Sequence, residues 1–225
     1  MRTVKVKICG ITKEEDLEAA CRIGADFIGF VVGVPSSPRN LKLEEAEHLI
    51  KLVPKNVKSV LVTVLKSLEE VLEACRLLKP NIIQLHCEDF LDLSVLREKL
   101  PSALLVRAFP ALENVVERVV REARFADGIL VDSFAEGRLG GTGVVHDWYI
   151  SRRVRDIIYP KPLILAGGLN PSNVSEAVKT VRPYAVDVST GVESKPGFKD
   201  LFKMEIFIKR AKSVVLGDEY CSVTL

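Results

Sequence analysis

The chain has 225 residues, 48% of them apolar and 28% charged. Those proportions belong to a globular protein and exclude a disordered, collagen-like or coiled-coil chain. Lys and Arg total 32 against 30 Asp and Glu, a net charge of +2, which is no footprint for nucleic acid or an anionic membrane and leaves room only for a local pocket that takes a small anion.

A strand is predicted over residues 4–8. Its period of two puts Val4, Val6 and Ile8 on one face and Lys5, Lys7 and Cys9 on the other. Thr12 with Glu15 reads as a capping box. The helix it would open carries Leu17, Ala20 and Cys21 on one face and is stopped by Gly24. Further strands are predicted over 26–31, 57–63, 82–85, 104–107, 128–131, 162–165 and 185–188, each followed by a helical pattern. Ser67 with Glu70 repeats the helix-start signal ahead of Leu68, Val71, Leu72, Cys75 and Leu78. Asn170-Pro171 reads as an N-cap followed by proline at the first helical position. Met204, Phe207, Ile208 and Ala211 form the last apolar stripe. Eight β-then-α units in this length suit a single-domain α/β fold, a (β/α)8 TIM barrel over residues 1–213. An open doubly wound sheet shares the alternation but usually has fewer strands. Residues 214–225 form a tail with no readable role.

No apolar run approaches the roughly 18 residues of a membrane span. The first ten residues alternate Val and Lys, with no signal-peptide core. A cytoplasmic location is expected. The five cysteines, Cys9, Cys21, Cys75, Cys87 and Cys221, show no CxxC or Cys/His spacing, so neither a disulfide framework nor a zinc site is expected. Cys21 and Cys75 sit on helix apolar faces and read as core residues.

A (β/α)8 barrel places its site at the C-terminal ends of the strands. On the first strand, Lys7 and Cys9 then face the lumen, with Cys9 at the rim. The sixth strand closes on Asp132, before a glycine-rich run at 137–143. The eighth carries Asp187 and leads into Ser189-Thr190-Gly191. The seventh leads into Gly167-Gly168. Glycine loops beside helix N-termini expose backbone N–H groups to phosphate. Structural roles stand beside these. Cys9 could fill the lumen, Asp132 could cap a helix or pair with Lys5 or Lys7, and Asp187 could pair with Lys7. His86 reads as rim support or an acid–base group, His48 as exposed, His146 as a surface or capping residue, and Trp148 as packing.

These residues carry a pattern. Lys7-Ile8-Cys9-Gly10-Ile11-Thr12 resembles the opening motif of the phosphoribosylanthranilate isomerase family. Gly24-Ala25-Asp26, Gly29-Phe30, Ser37-Pro38-Arg39, Gln84-Leu85-His86, Val131-Asp132 and Gly140-Gly141-Thr142-Gly143 follow in order. Asp147-Trp148, the run from Leu165 to Pro171, the run from Asp187 to Glu193, Pro196-Gly197 and Lys199-Asp200 complete it. The resemblance spans residues 4–212. It implies a (β/α)8 barrel of tryptophan biosynthesis, with no metal or organic cofactor. The implied reaction is the Amadori rearrangement of N-(5′-phosphoribosyl)anthranilate to 1-(2-carboxyphenylamino)-1-deoxyribulose 5-phosphate. By that resemblance Cys9 is the general base and Asp132 the general acid. Arg39 recognises substrate, and backbone groups around Gly167, Gly168, Ser189, Thr190 and Gly191 hold its phosphate, with Asp187 beside them.

Three positions depart from the pattern: Cys87 stands where glycine is usual, His146 replaces an aromatic, and the tail after Ser213 has no counterpart. The related isomerase of histidine biosynthesis performs the same step but typically carries aspartate where this chain has Cys9. A dual-substrate barrel, or a phosphate-binding barrel without chemistry, are the other readings. The expected partner is a small phosphorylated substrate, with neither nucleic acid nor membrane, and a monomer and a homodimer are equally compatible. A thiol works as a base only when ionised. Lys7 or Arg39 is therefore expected to favour the thiolate, and burial or Asp187 to keep Asp132 protonated. Arg39 is expected to present its fork to the substrate carboxylate or phosphate.

Overall fold

Runs of aliphatic and β-branched residues form eight strands, in a computed structural model that describes residues 2–64, 67–86, 93–112, 114–133, 145–217 and 225. They are β1 (Lys5–Cys9), β2 (Phe27–Val32), β3 (Lys58–Thr63), β4 (Ile82–Leu85), β5 (Leu104–Pro110), β6 (Gly128–Asp132), β7 (Leu163–Leu165) and β8 (Ala185–Val188). All pair in parallel in chain order, and β1 pairs with both β2 and β8. That double pairing closes the sheet and rules out the open alternative. The helices are α1 (Glu14–Ile23), α2 (Leu43–Lys51), α3 (Leu68–Leu78), α4 (Leu93–Lys99), α5 (Val115–Glu122), α6 (Trp148–Ile158), α7 (Val174–Val181) and α8 (Leu201–Lys212). Among the described residues, then, a (β/α)8 barrel is complete. No helix among them is long and apolar enough to cross a membrane.

Strand parity divides the core in two. Val6 and Ile8 on β1, Ile28 and Phe30 on β2, and Ile129 and Val131 on β6 face outward, in one cluster with Leu17, Val178 and Phe207 of the helices. Phe27, Val60, Ile82, Val106, Leu130 and Ile164 face inward and fill the lumen. Continuing the same parity upward brings Lys7, Cys9, Gln84, Asp132 and Asp187 inward, near the C-terminal ends of their strands. The lumen is therefore apolar below and polar above. β5 and β6 run past their predicted ends because they support each other there, with Pro110 opposite Asp132. β1 likewise extends to Cys9 because Gly29 pairs with it.

The helix signals fared unevenly. Gly24 ends α1 in a left-handed conformation (φ 106°), its N–H bonded to Ala20 and Cys21. Ser67 caps α3 by accepting from the Glu70 N–H at 3.2 Å. The capping box at Thr12 does not form. Thr12 Oγ1 donates to the Gly197 carbonyl at 2.7 Å instead, and Lys13 occupies the N-cap. A tertiary partner outcompeted the local one. Asn170 does not cap its helix: its Oδ1 accepts from the Ser172 N–H in a turn, and α7 begins a turn later, at Val174, with Asn173 at the N-cap. The predicted stripe of Met204, Phe207, Ile208 and Ala211 is buried, and Cys21 and Cys75 are half-buried against the core. Cys87, Cys221 and the glycine-rich run 137–143 lie outside the described residues.

The tail, read as featureless, returns to the barrel. Val215–Leu216 pairs antiparallel with Arg2–Thr3. Leu225 is 2% exposed and packs in the apolar lower lumen with Phe27 and Tyr184. Its N–H donates to Tyr184 Oη at 3.3 Å. Gly128 is the floor beneath it, since a Cβ there would lie 2.9 Å from a Leu225 methyl. Leu225→Ala should lower the unfolding free energy by about 2 kcal/mol. Urea denaturation would show it, with kcat untouched because the polar end of the lumen lies opposite. An unchanged denaturation midpoint would mean that Leu225 does not close the floor.

Candidate active site

Because inward residues alternate up each strand, the reactive ones converge at one mouth. Cys9, Arg39, Asp132, Gly167, Gly168, Asp187, Ser189, Thr190 and Gly191 all line a single cavity at the C-terminal ends of the strands. The structure thus brings together every residue singled out as a site candidate. Its chemistry rests on four ionisable groups in the upper lumen and two loops above them.

Lys7 and Asp187 are opposite one another on β1 and β8. The Lys7 Nζ is fully buried and lies 3.1 Å from both Asp187 carboxylate oxygens. Burial opposes the ammonium, but Asp187 and then Cys9 together outweigh it and hold the Lys7 pKa above its ordinary value. Asp187 therefore takes the structural role foreseen for it while still facing the cavity. Cys9 is next on the same face, 8% exposed. Gly29 across the strand makes room for both heads: a Cβ there would sit 2.9 Å from Cys9 Sγ and 3.0 Å from Lys7 Nζ. Burial, and less strongly Asp187, push the Cys9 thiol up from its ordinary pKa, although Lys7 and more weakly Lys199 pull it down. Lys7 favours the thiolate, as expected, but does not by itself make Cys9 a ready one. The cation is present, but desolvation wins.

Asp132 ends β6, half-buried at the rim. Burial first and Asp187 second push its carboxyl up to about 7, against the Ser133 N–H and Lys7. It keeps a proton near neutrality, as expected. The lysines offered as its partners are engaged elsewhere, Lys5 with Asp26 at 2.9 Å and Lys7 with Asp187. His86 is no acid–base group near neutral pH. Burial, then the charges of Lys7 and Arg107, lower its pKa to about 3. Its neutral ring lies 2.7 Å from the Gln84 amide nitrogen. His146 is not a surface or capping residue. Its Nδ1 lies 3.1 Å from Ser133 Oγ and its Nε2 2.7 Å from Ser151 Oγ, and burial lowers its pKa to about 4. It ties the residue after Asp132 to α6, while Asp147 caps that helix. His48 is exposed and paired with Glu14, as expected. Trp148 packs against the core.

The two glycine loops are packed into each other. Gly167 and Gly168 have φ of 88° and 64°, left-handed values that favour glycine. A Cβ at Gly191 would strike the Leu169 carbonyl and the Asn170 backbone. Asn173 Nδ2 donates to the Gly168 carbonyl at 3.0 Å. A short 3-10 turn, Thr190–Val192, follows β8. Loop seven and this turn are the usual phosphate positions of a barrel.

Arg39 crosses directly over Gly10, whose φ is 72° and whose absent side chain leaves space for the arginine stem. Its fork is already closed: Nε and Nη2 donate to Glu193 Oε1 and Oε2 at 2.7 and 2.6 Å, and Nη2 also reaches Thr190 Oγ1 at 3.2 Å. The fork expected to meet a substrate carboxylate or phosphate is thus held by Glu193 in this structure. Arg39 still brings its charge to the cavity wall. Sequence reasoning assigned nothing to Glu193, Lys199, Gln84 or Ser133. For Gln84 the signal existed, because Ile82 faces inward and parity carries Gln84 with it. Glu193 and Lys199 stood inside quoted motifs, but only the fold shows that they meet.

Comparison with known proteins identifies the relatives of this arrangement. Residues 6–210 match the family described as N-(5′-phosphoribosyl)anthranilate (PRA) isomerase. A curated relative, the N-(5′-phosphoribosyl)anthranilate isomerase of Methanosarcina acetivorans, is 41% identical over 92% of this chain and 93% of its own. The solved phosphoribosyl anthranilate isomerase of Thermotoga maritima is 38% identical with a TM-score of 0.83, covering 94% of this chain and 100% of that one. A phosphoribosyl anthranilate isomerase solved with reduced 1-(o-carboxyphenylamino)-1-deoxyribulose 5-phosphate is 37% identical with a TM-score of 0.80, over the same shares.

Removing one partner of the lumen ion pair should be far costlier than removing both. Lys7→Met leaves Asp187 unpaired and should cost about 3–5 kcal/mol of stability. Lys7→Met with Asp187→Leu should recover much of that loss. Denaturation of the two singles and the double measures the coupling, and additive losses would contradict it.

Proposed function

The chain belongs to the N-(5′-phosphoribosyl)anthranilate isomerase family, and we infer that it catalyses that family's Amadori rearrangement with Cys9 as general base and Asp132 as general acid. One observation carries the assignment. A carboxyl held protonated to about pH 7 and a thiol beside an ammonium line the same cavity, from strands β6 and β1. An aldose-to-ketose rearrangement needs both, one to give a proton to oxygen and one to take a proton from carbon.

The steps follow from those positions. Asp132 donates its proton to the ribose ring oxygen. The C1′–O bond breaks and the anthranilate nitrogen becomes a protonated Schiff base. Cys9, as thiolate, removes the proton from C2′, and the electron pair runs to nitrogen to give the enolamine. Tautomerisation, with loss of the C2′ hydroxyl proton and protonation at C1′, yields the ketone. No metal or organic cofactor enters these steps. Backbone N–H groups around Gly167, Gly168, Ser189, Thr190 and Gly191 hold the phosphate, which fixes C2′ relative to the base. Arg39 supplies its charge to the anthranilate carboxylate or to the phosphate. Every residue given a role belongs to one chain, so the assignment is the same for a monomer and a homodimer. The partner is a small phosphorylated molecule, and its retention fits a cytoplasmic setting.

Cys9→Ala or Asp132→Asn should each lower kcat by about 10²–10⁴-fold with substrate affinity largely kept. Steady-state fluorescence assays of substrate consumption check this, and a variant with near-normal kcat would remove that residue's role. The pH profile follows from the order of the two pKa values. Below about 7, Asp132 stays protonated. The thiolate fraction, and with it kcat/KM, then rises tenfold per pH unit. Above about 7, loss of protonated Asp132 cancels the gain in thiolate, and the curve levels until Cys9 itself titrates. A profile that keeps climbing through about pH 9 would show that the Asp132 proton is not used.

A further inference from the structure

Beyond β8 the chain makes a hairpin, Glu193–Lys195 with Phe198–Lys199, which the reaction above leaves unused. We infer that Lys199 and Glu193 of this hairpin are positioning residues for the reaction: Lys199 fixes the main chain that carries the base, and Glu193 fixes the arginine beside it.

The contacts of Lys199 are what a packing residue would not need. Its side chain has no solvent exposure. Nζ donates to the Cys9 carbonyl at 2.6 Å and to Glu193 Oε1 at 2.8 Å. It also lies 3.4 Å from both the carbonyl and the hydroxyl of Ser189. Serving three residues at once takes the three N–H groups of an ammonium. Burial pulls the Lys199 pKa below its ordinary value, against the support of Glu193. Its partners come from three different parts of the site: the end of β1, the turn after β8, and the carboxylate that holds Arg39.

Glu193 completes the link. It accepts from Arg39 at 2.6 and 2.7 Å and from Lys199 at 2.8 Å. Burial works against its charge, but Arg39 and Lys199 outweigh it and hold the carboxyl below its ordinary range. Arg39 in turn lies over Gly10, the residue after the base. The ring of contacts therefore runs Cys9 carbonyl, Lys199, Glu193, Arg39 and back across Gly10. The hairpin is itself pinned: the Lys199 N–H donates to Asp16 Oδ2 at 3.0 Å, and Lys203 Nζ to the Glu193 carbonyl at 2.8 Å. Base, arginine and phosphate turn are thus held as one unit, and displacement of any one moves the others. A misplacement of about 1 Å at a reacting group costs about 10²-fold in rate.

The inference rests on the assignment of Cys9 as base, and the experiment separates the two. Lys199→Met, Glu193→Gln and Cys9→Ala would be compared with the parent chain for kcat and KM. In the variants that keep it, alkylation of Cys9 by iodoacetamide would be followed on its own peptide by mass spectrometry. Lys199→Met should lower kcat by about 10²-fold and slow Cys9 alkylation at fixed pH by about tenfold, the effect of a thiol pKa one unit higher. Glu193→Gln keeps the shape but turns a donor toward Arg39 or Lys199. It should raise KM by about tenfold, the loss of one charged hydrogen bond, with kcat changed much less. A folded Lys199→Met with parental kcat and alkylation overturns the role of Lys199. Parental KM in Glu193→Gln overturns that of Glu193. If Lys199→Met does not fold, the Glu193→Gln split alone decides, since a merely structural clasp would change stability and leave KM in place. Turnover retained in Cys9→Ala would fail the base assignment alone, while the alkylation and KM readouts would still judge the positioning.

Discussion

The upper lumen depends on one ion pair. Lys7 and Asp187 are drawn out of water by the strands that carry them and pair with each other there. Desolvating two charges is expensive, and their mutual attraction offsets it only at good geometry. Here the lysine reaches both carboxylate oxygens at equal distance. The pair then acts on its neighbours in opposite senses. The anion raises Asp132 and the cation restrains the rise at Cys9. A single ionic bond thus biases the acid toward holding its proton and the base toward losing one. That is what the assigned roles require.

The fold makes this arrangement possible by simple alternation. In a parallel barrel each strand sends every second side chain inward, and the register of neighbours fixes their height. Lys7 is level with Asp187 and Cys9 with Gly29 because β1 is paired on both sides. The lower lumen is filled by apolar side chains and closed by Leu225, so the polar groups meet the outside only at the opposite mouth. Two glycines make the necessary absences. Gly29 leaves space for the thiol and the ammonium, and Gly10 leaves space for the Arg39 stem. Either side chain would move a functional group.

Much of this was legible in the sequence, for reasons that can be named. Strand positions were readable because β-branched runs recur between helical stripes, and the parity of β1 alone put Lys7 and Cys9 in the lumen. The left-handed backbone at Gly167 and Gly168 was readable because paired glycines before a helix have few other uses. Thr12 misled because a capping box is a local signal, and the Gly197 carbonyl, 185 residues away, was the better partner. His146 misled in the same way: its two serine partners are set by the docking of α6 on β6, which no local pattern encodes. The fork of Arg39 was assigned to a ligand because Glu193 lies 154 residues further along the chain. Long-range polar pairing is the part of a site that spacing does not reveal.

The choice of a thiol at position 9 follows from the charge balance. At neutral pH the upper lumen holds Lys7 as cation and Asp187 as anion, with Cys9 neutral and Asp132 about half protonated. The buried groups nearly cancel. A carboxylate at position 9 would add a second anion beside Lys7 and compete with Asp187 for it, and it would push Asp132 further from ionising. A thiol avoids that standing charge because it is neutral until it reacts. The consequence is that little of it is ionised at any moment, so the proposed base role depends on whatever stabilises the thiolate as it forms. Two ammonium groups stand ready for that. Lys7 lies on the lumen side, and Lys199 grips the Cys9 carbonyl from the hairpin. The reluctance of a buried thiol to ionise is countered by cations on two sides of one residue.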